Sequence, residues 1–408
     1  MMALVVVVAS CSKSAVVEVP YENVPISFAS YNGKTPTVKS SSFVGNDSLS
    51  TYGFQVYGYL HNTAADTPVY TANEEYMNKV VKGTNTGTAE APAWVWKYDG
   101  MSYWPGTLFL DFVAYGLNAS SIITKNDQNS NVVTVTIPDA VAQQKDLLVA
   151  VPHKNVQYTT NNGTVDLVFK HLLSRVNFAL VTKSGNGVDV TIEEIKLEGT
   201  FNTTGTIDLT AKTPKTAEDT IGVPFITPSE ATAKTTYNFL GGNTFTSTGK
   251  TADLGGADIF DNSMLWSFDG GEDTTSSNDD RYVALTKPVK GDDETDEAFA
   301  VRDSLYNDAV RVAAKNEQNR YMMIMPTKGT KHQARLFVKY FLPEAGTYDA
   351  KEEGINLEGI NFEAGKSYKF LLEVSTNTID FSVVVTPWDE GTTGENSKNP
   401  QVEVIKLN

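Results

Sequence analysis

Residues 164–181 read Thr-Val-Asp-Leu-Val-Phe-Lys-His-Leu-Leu-Ser-Arg-Val-Asn-Phe-Ala-Leu-Val. Two alternating, β-branched runs, Thr164 to Phe169 and Val176 to Val181, flank a short break at His171 to Arg175 that reads as a bend. A period of two sends successive side chains to opposite faces, so each run is expected to be a strand with at least one buried face. The same unit recurs upstream at Val24 to Ser30, Gly53 to Leu60, Thr107 to Tyr115, Val132 to Ile137 and Asp146 to Val151. Downstream it returns at Val188 to Leu197, Arg320 to Met325, Ala334 to Phe341, Ser367 to Val374 and Ile379 to Thr386. Gly, Asn, Asp, Ser and Thr clusters separate these runs, and the helical candidates, Glu74 to Lys82 and Asp296 to Ala314, are short. Many short strands without strand–helix–strand alternation predict a mostly β protein built from antiparallel Greek-key β-sandwiches.

The chain has 408 residues, too many for one sandwich of roughly 100–200 residues. Two tandem β-sandwich domains are expected, with long loop insertions in the second between Thr203 and Asp303. The polar stretch Gln157 to Gly163 supplies the boundary, giving a leader at 1–23, an N-terminal domain at 24–160 and a C-terminal domain at 161–408. Hydrophobic residues make up 40% and charged residues 20%, a composition that folds rather than stays disordered. The net charge of −16 repels phosphate backbones and anionic headgroups, so nucleic acid is not an expected partner.

Cys11 is the sole cysteine, which excludes an intramolecular disulfide and a multi-cysteine zinc site. It ends the apolar run Leu4 to Ala9, which is too short to span a bilayer and reads as the core of an export signal. Val8-Ala9-Ser10-Cys11 resembles a bacterial lipobox, so Cys11 is the expected lipidation site of an exported outer-membrane lipoprotein. No Lys or Arg precedes the run, which points to a start codon further upstream. The competing reading is a buried N-terminal strand with an incidental cysteine.

Four segments in order carry a family resemblance: Trp104-Pro105 with Leu108 to Tyr115, Asp146 to Ala150, Phe169 to Phe178, and Ala364-Gly365-Lys366-Ser367-Tyr368 with Phe381 to Trp388. Together they resemble the fimbrillin family, the lipoprotein subunits of type V pili. The resemblance implies two transthyretin-like sandwiches, a cell-surface location in a fimbrium, and assembly with other pilus subunits by donor-strand exchange that supports adhesion. It further implies that a protease removes the first strand, here Val24, Ile26 and Phe28 with their neighbours, by cutting in the segment that follows. The first arginine is Arg175, so Lys34 and Lys39 are the processing candidates. The donor candidate is the tail beyond the Asp389 to Asn399 linker, with apolar Val402, Val404, Ile405 and Leu407. An ordinary last edge strand is the equally open alternative for that tail.

Material for catalysis is sparse. His61, His153, His171 and His332 show no ligand spacing, and no HExxH, GxSxG or phosphate-loop pattern occurs, so neither an enzyme nor a cofactor is expected. His171 reads as a structural residue at a domain junction, with Ser174 and Arg175 supporting the bend. Carboxylates between Asp253 and Glu297 could ligate Ca²⁺, but their spacing is not that of an EF-hand and a solvated acidic loop is the plainer reading. Trp94, Trp96, Tyr98, Tyr103 and Trp104 could stack on a host glycan if exposed, or fill a core if buried. The alternative function is therefore a monomeric surface lipoprotein that binds a glycan or host protein through its loops.

Overall fold

The computed structural model describes residues 24–32, 49, 52–71, 74–87, 94–126, 128–161, 163–182, 191–214, 222–229, 234–240, 245–246, 260–267, 285–288, 295–296, 322–326, 334–341, 351–357, 360–374, 379–387 and 403–407. Among the described residues, strands numbered in chain order fall into four sheets. The first runs, edge to edge, β1 (Ser27–Asn32), β10 (Thr164–His171), β8 (Leu148–Ala150), β5 (Phe109–Gly116), β2 (Phe54–His61), β3 (Met77–Asn85) and β4 (Trp94–Lys97), with β9 (His153–Val156) also on β5. A four-stranded sheet follows the order β14 (Thr227–Pro228), β13 (Thr204–Asp208), β7 (Val132–Thr136) and β6 (Ile123–Lys125).

The third sheet is ordered β18 (Leu285–Pro288), β17 (Phe260–Ser267), β11 (Ser174–Thr182), β22 (Lys366–Val374), β23 (Ile379–Pro387) and β24 (Glu403–Leu407), with β19 (Met322–Ile324) on β11. The fourth is β15 (Thr235–Asn238), β12 (Thr191–Gly199), β20 (Ala334–Phe341) and β21 (Lys351–Asn356), with β16 (Phe245–Thr246) on β12. No helix among the described residues is long and apolar enough to cross a membrane.

Alternation explains how one strand serves two cores. On β5, Leu110, Phe112 and Ala114 face one cluster with Phe54, Val56, Phe169 and Trp104, while Val113 and Tyr115 face a second with Tyr57, Tyr59 and Val149. The second cluster also takes Val133 and Val135 from β7 and Ile207 from β13, so the four-stranded sheet packs on the first as the other layer of a sandwich. The third and fourth sheets make another sandwich. Phe178, Phe370, Leu372 and Val383 on one side meet Ile195, Leu197, Tyr237, Leu336 and Val338 on the other. Each fully buried side chain of this kind contributes about 1.5–3 kcal/mol.

Two expectations change, and sheet pairing crosses a stretch that reads as a linker. Glu74 to Lys82 is not helical: Met77 and Val81, four apart, fit one face of a helix, but they also share parity on a strand, and pairing with β2 (Phe54 opposite Val81, Gly58 opposite Met77) decides for β3. The sheets are not wholly antiparallel, since β1 runs parallel to β10 and β11 parallel to β22. Sheet pairing also does not break at residue 160. The polar stretch Gln157 to Gly163 is a helical turn, α1 (Tyr158–Asn161), and a glycine between β9 and β10, and β10 joins β8 and β1 beyond it. Across the same point β7 pairs with β13, from Thr136 opposite Thr204 to Val132 opposite Asp208. The helix candidate Asp296 to Ala314 lies outside the described residues apart from Asp296.

Candidate functional site

The first described segment is held on two sides. Ile26 N–H donates to the Ser102 carbonyl at 2.9 Å and Trp104 N–H donates to the Val24 carbonyl at 2.9 Å, with Pro25 bridged to Tyr103 between them. The Tyr98 hydroxyl donates to the Ile26 carbonyl at 2.6 Å. From Ser27 onward the chain transfers to β10, in parallel register from Ser27 opposite Thr164 to Asn32 opposite Phe169. Ser27 marks the switch, since its N–H and its Oγ both donate to the Gly163 carbonyl, at 3.0 and 2.9 Å, and its Oγ shares a hydrogen with Thr164 Oγ1 at 2.8 Å.

Gly163 makes that carbonyl available. Its φ of +83° lies in the left-handed region, and a Cβ there would sit 3.1 Å from the Tyr158 ring, so a side chain would be strained and crowded. The carbonyl accepts a third donor, the Trp104 indole Nε1–H at 3.2 Å.

The expected strand residues divide as alternation requires. Ile26 and Phe28 are 2% and 5% exposed and belong to the core of the first sheet, with Val24 half-buried against it. The Phe28 ring lies edge-on to Phe54, Tyr98 and Phe112, with centroids 6.1, 5.9 and 5.9 Å away. Phe54 in turn meets Trp96 and Phe169 at 5.2 and 5.3 Å. These are separations at which ring pairs attract. An edge strand thus completes the aromatic core of the sheet.

The aromatic run Trp94 to Trp104, a glycan or core candidate by sequence, supplies several residues of this seat. Trp96 and Tyr98 are half-buried against the core beneath Phe28, Trp94 is half-buried, and Trp104 is fully buried. Burial pushes the Tyr98 hydroxyl above its ordinary range, so it stays protonated and keeps donating to Ile26. The alternation Trp94, Trp96, Tyr98 held the signal for a buried face; nothing in sequence tied that face to residues 24–28. Tyr103 stays exposed, its carbonyl accepting from the Tyr76 hydroxyl at 2.6 Å.

At the far end, β24 pairs antiparallel with β23, from Val385 opposite Glu403 to Phe381 opposite Leu407. It lies at the edge of the third sheet. Val404, Ile405 and Leu407 are within this strand; Val402, Lys34, Lys39 and Cys11 lie outside the described residues.

His61 and His171 serve packing networks, while His332 lies outside the described residues. His61 is buried with its ring nitrogens facing the Thr63 carbonyl at 2.8 Å and the Asp111 carboxylate at 3.2 Å. Asp111 also accepts from the Tyr70 hydroxyl at 2.7 Å and from Asn155 N–H at 2.8 Å, which fixes two loops to β5. His171 sits beside Asp146, Nδ1 to carboxylate 2.9 Å, where β10 gives way to β11. Just beyond it Leu172 N–H donates to the Leu147 carbonyl and Ser174 Oγ to the Glu363 carbonyl, so this bend is pinned from both flanking regions. Arg175 Nε donates to Ser367 Oγ at 2.9 Å. Most of the acidic stretch from Asp253 to Glu297 lies outside the described residues, and among those described no three His, Cys, Asp or Glu side chains gather at a metal-holding distance.

Comparison with known proteins adds the family. The chain is similar to a fimbrial protein from Bacteroides vulgatus at 13% identity, covering 89% of this chain and 99% of that one with a TM-score of 0.46. It is also similar to a fimbrial assembly protein from Parabacteroides distasonis at 9% identity, covering 87% and 90% with a TM-score of 0.34. No curated protein matches it. The sequence model of the family described as fimbrillin-like matches residues 44–248, just over half of the 408-residue chain. On that match, with a mostly β structure of packed sheets beneath it, the chain belongs to the fimbrillin-like family.

Proposed function

We propose that the protein is a non-enzymatic subunit of a cell-surface pilus, joined to other subunits when its first strand is cut away and a strand from a neighbour takes the vacated seat. The observation that carries this reading is the segment that ends in β1: nine residues, 24–32, at a sheet edge supply Ile26 and Phe28 to a core that is open without them. Removing such a strand exposes an apolar slot, leaves the Trp104 N–H without its acceptor, and takes one donor from the Ser102 carbonyl and two from the Gly163 carbonyl. A donated strand satisfies both needs together, which drives association. Cleavage after Lys34 or Lys39 frees β1. The tail that carries Val402, Val404, Ile405 and Leu407 leaves β23 to serve the next subunit. Lipidation at Cys11 holds the exported chain on the outer membrane until it is incorporated, and the assembled fibre supports adhesion to a host glycan or protein.

Limited digestion of the full chain with a Lys-specific protease tests this. The expected result is a cut in 33–48, after which a labelled synthetic copy of residues 24–32 displaces the severed strand. A disulfide between Ala29→Cys and Asp166→Cys, residues opposite each other in the β1–β10 register, is expected to block displacement until reduced. A cut chain that never releases β1 contradicts the reading.

A further inference from the structure

The seat of β1 is chemically selective, and this chain's own tail does not match it. Two inward positions are set by Ile26 and Phe28, and the aromatic one is enclosed edge-on by three rings. Between them Ser27 turns outward and places a short hydroxyl on the Gly163 carbonyl and Thr164 Oγ1. The segment 24–32 carries no charged side chain. The tail Gln401-Val402-Glu403-Val404-Ile405-Lys406-Leu407-Asn408 has no aromatic residue. Its aliphatic pairs at a spacing of two, Val402 with Val404 and Ile405 with Leu407, enclose Glu403 and Lys406 in place of the small hydroxyl.

Resting on the strand-exchange reading, we infer that the strand accepted by this seat comes from a different protein, and that it is an uncharged strand with an aliphatic residue, a Ser or Thr, and an aromatic residue in succession. A second copy of this chain is a poor donor to it. An aliphatic side chain in the Phe28 slot forfeits three edge-to-face ring interactions, and a long charged side chain at the Ser27 position forfeits the hydroxyl's two bonds. Each loss is expected to weaken uptake by about tenfold. The subunit therefore occupies a place in a mixed fibre in which its acceptor seat and its own tail face different partners.

The test uses the full chain, cut between β1 and β2 as above, and four labelled peptides followed by fluorescence anisotropy. These are a copy of residues 24–32, its Phe28→Leu version, its Ser27→Lys version, and a copy of residues 401–408. The expected order places the unaltered copy first, the two altered versions about tenfold weaker, and the tail copy no tighter than either. A tail copy taken up within about threefold of the unaltered one, or a Phe28→Leu version equal to it, overturns the inference while strand exchange stands. A cut chain that takes up none of the four, the unaltered copy included, overturns strand exchange and this inference with it.

Discussion

Phe28→Ala removes the side chain on which the seat of β1 depends. The ring is 5% exposed and meets Phe54, Tyr98 and Phe112 edge-on. An aromatic side chain buries roughly 150–250 Å², which at about 25 cal/mol per Å² corresponds to about 4–6 kcal/mol for the whole group. Alanine keeps part of that, and an edge strand collapses more readily than a central one, so a loss of about 3–4 kcal/mol is expected. Urea denaturation followed by tryptophan fluorescence reads it directly, because Trp96 and Trp104 share the same cluster. The midpoint should fall with the slope unchanged. Val80→Ala, at a side chain 41% exposed on β3, is the control and should shift stability by no more than about 0.5 kcal/mol. In chain cut after β1, Phe28→Ala should also speed loss of the severed strand. A measured cost below about 1 kcal/mol would refute the reasoning, because a strand that contributes so little leaves no seat worth refilling.

Other substitutions probe the surrounding frame. Asp111→Ala leaves the Tyr70 hydroxyl and Asn155 N–H unpaired beside buried His61, so thermal and urea unfolding should show a loss of about 3 kcal/mol or more. Gly163→Ala places a Cβ at φ +83° and 3.1 Å from the Tyr158 ring; denaturation should report a loss of about 1–2 kcal/mol, with proteolysis between β9 and β10 accelerated. His153 is held below its ordinary range by burial and then by nearby Lys212. The folded state therefore binds its proton less readily than the unfolded state, and stability falls as pH drops below about 6.5 towards the depressed value. Melting curves between pH 7 and 5 should show a shallower decline for His153→Gln than for the parent.

Sequence exposed the strands well because alternation is a property of single residues. Leu110, Phe112 and Ala114 against Val113 and Tyr115 already announce a strand with two buried faces. The β3 segment was harder, since Met77 and Val81 satisfy a helical and a strand spacing alike and only the partner strand separates them. Strand pairing across residue 160 is hidden from sequence for a related reason. A polar turn before Gly163 looks like a linker, yet whether a turn ends a domain depends on where the next strand pairs, and β10 returns to β8 and β1. Of the site, Ile26 and Phe28 were legible as inward-facing. Tyr98, Trp104 and Gly163, which grip that segment, were not, because they lie some 70 to 140 positions away and meet it only through contacts across the fold.

N-terminal mapping by mass spectrometry of the protein extracted from SDS-resistant surface fibres of the source cells tests the central claim most directly. The account predicts that fibre-incorporated chains begin within 33–48, after Lys34 or Lys39, and that residues 24–32 are absent from the fibre. Chains that carry residues 24–32 intact within such fibres would contradict it.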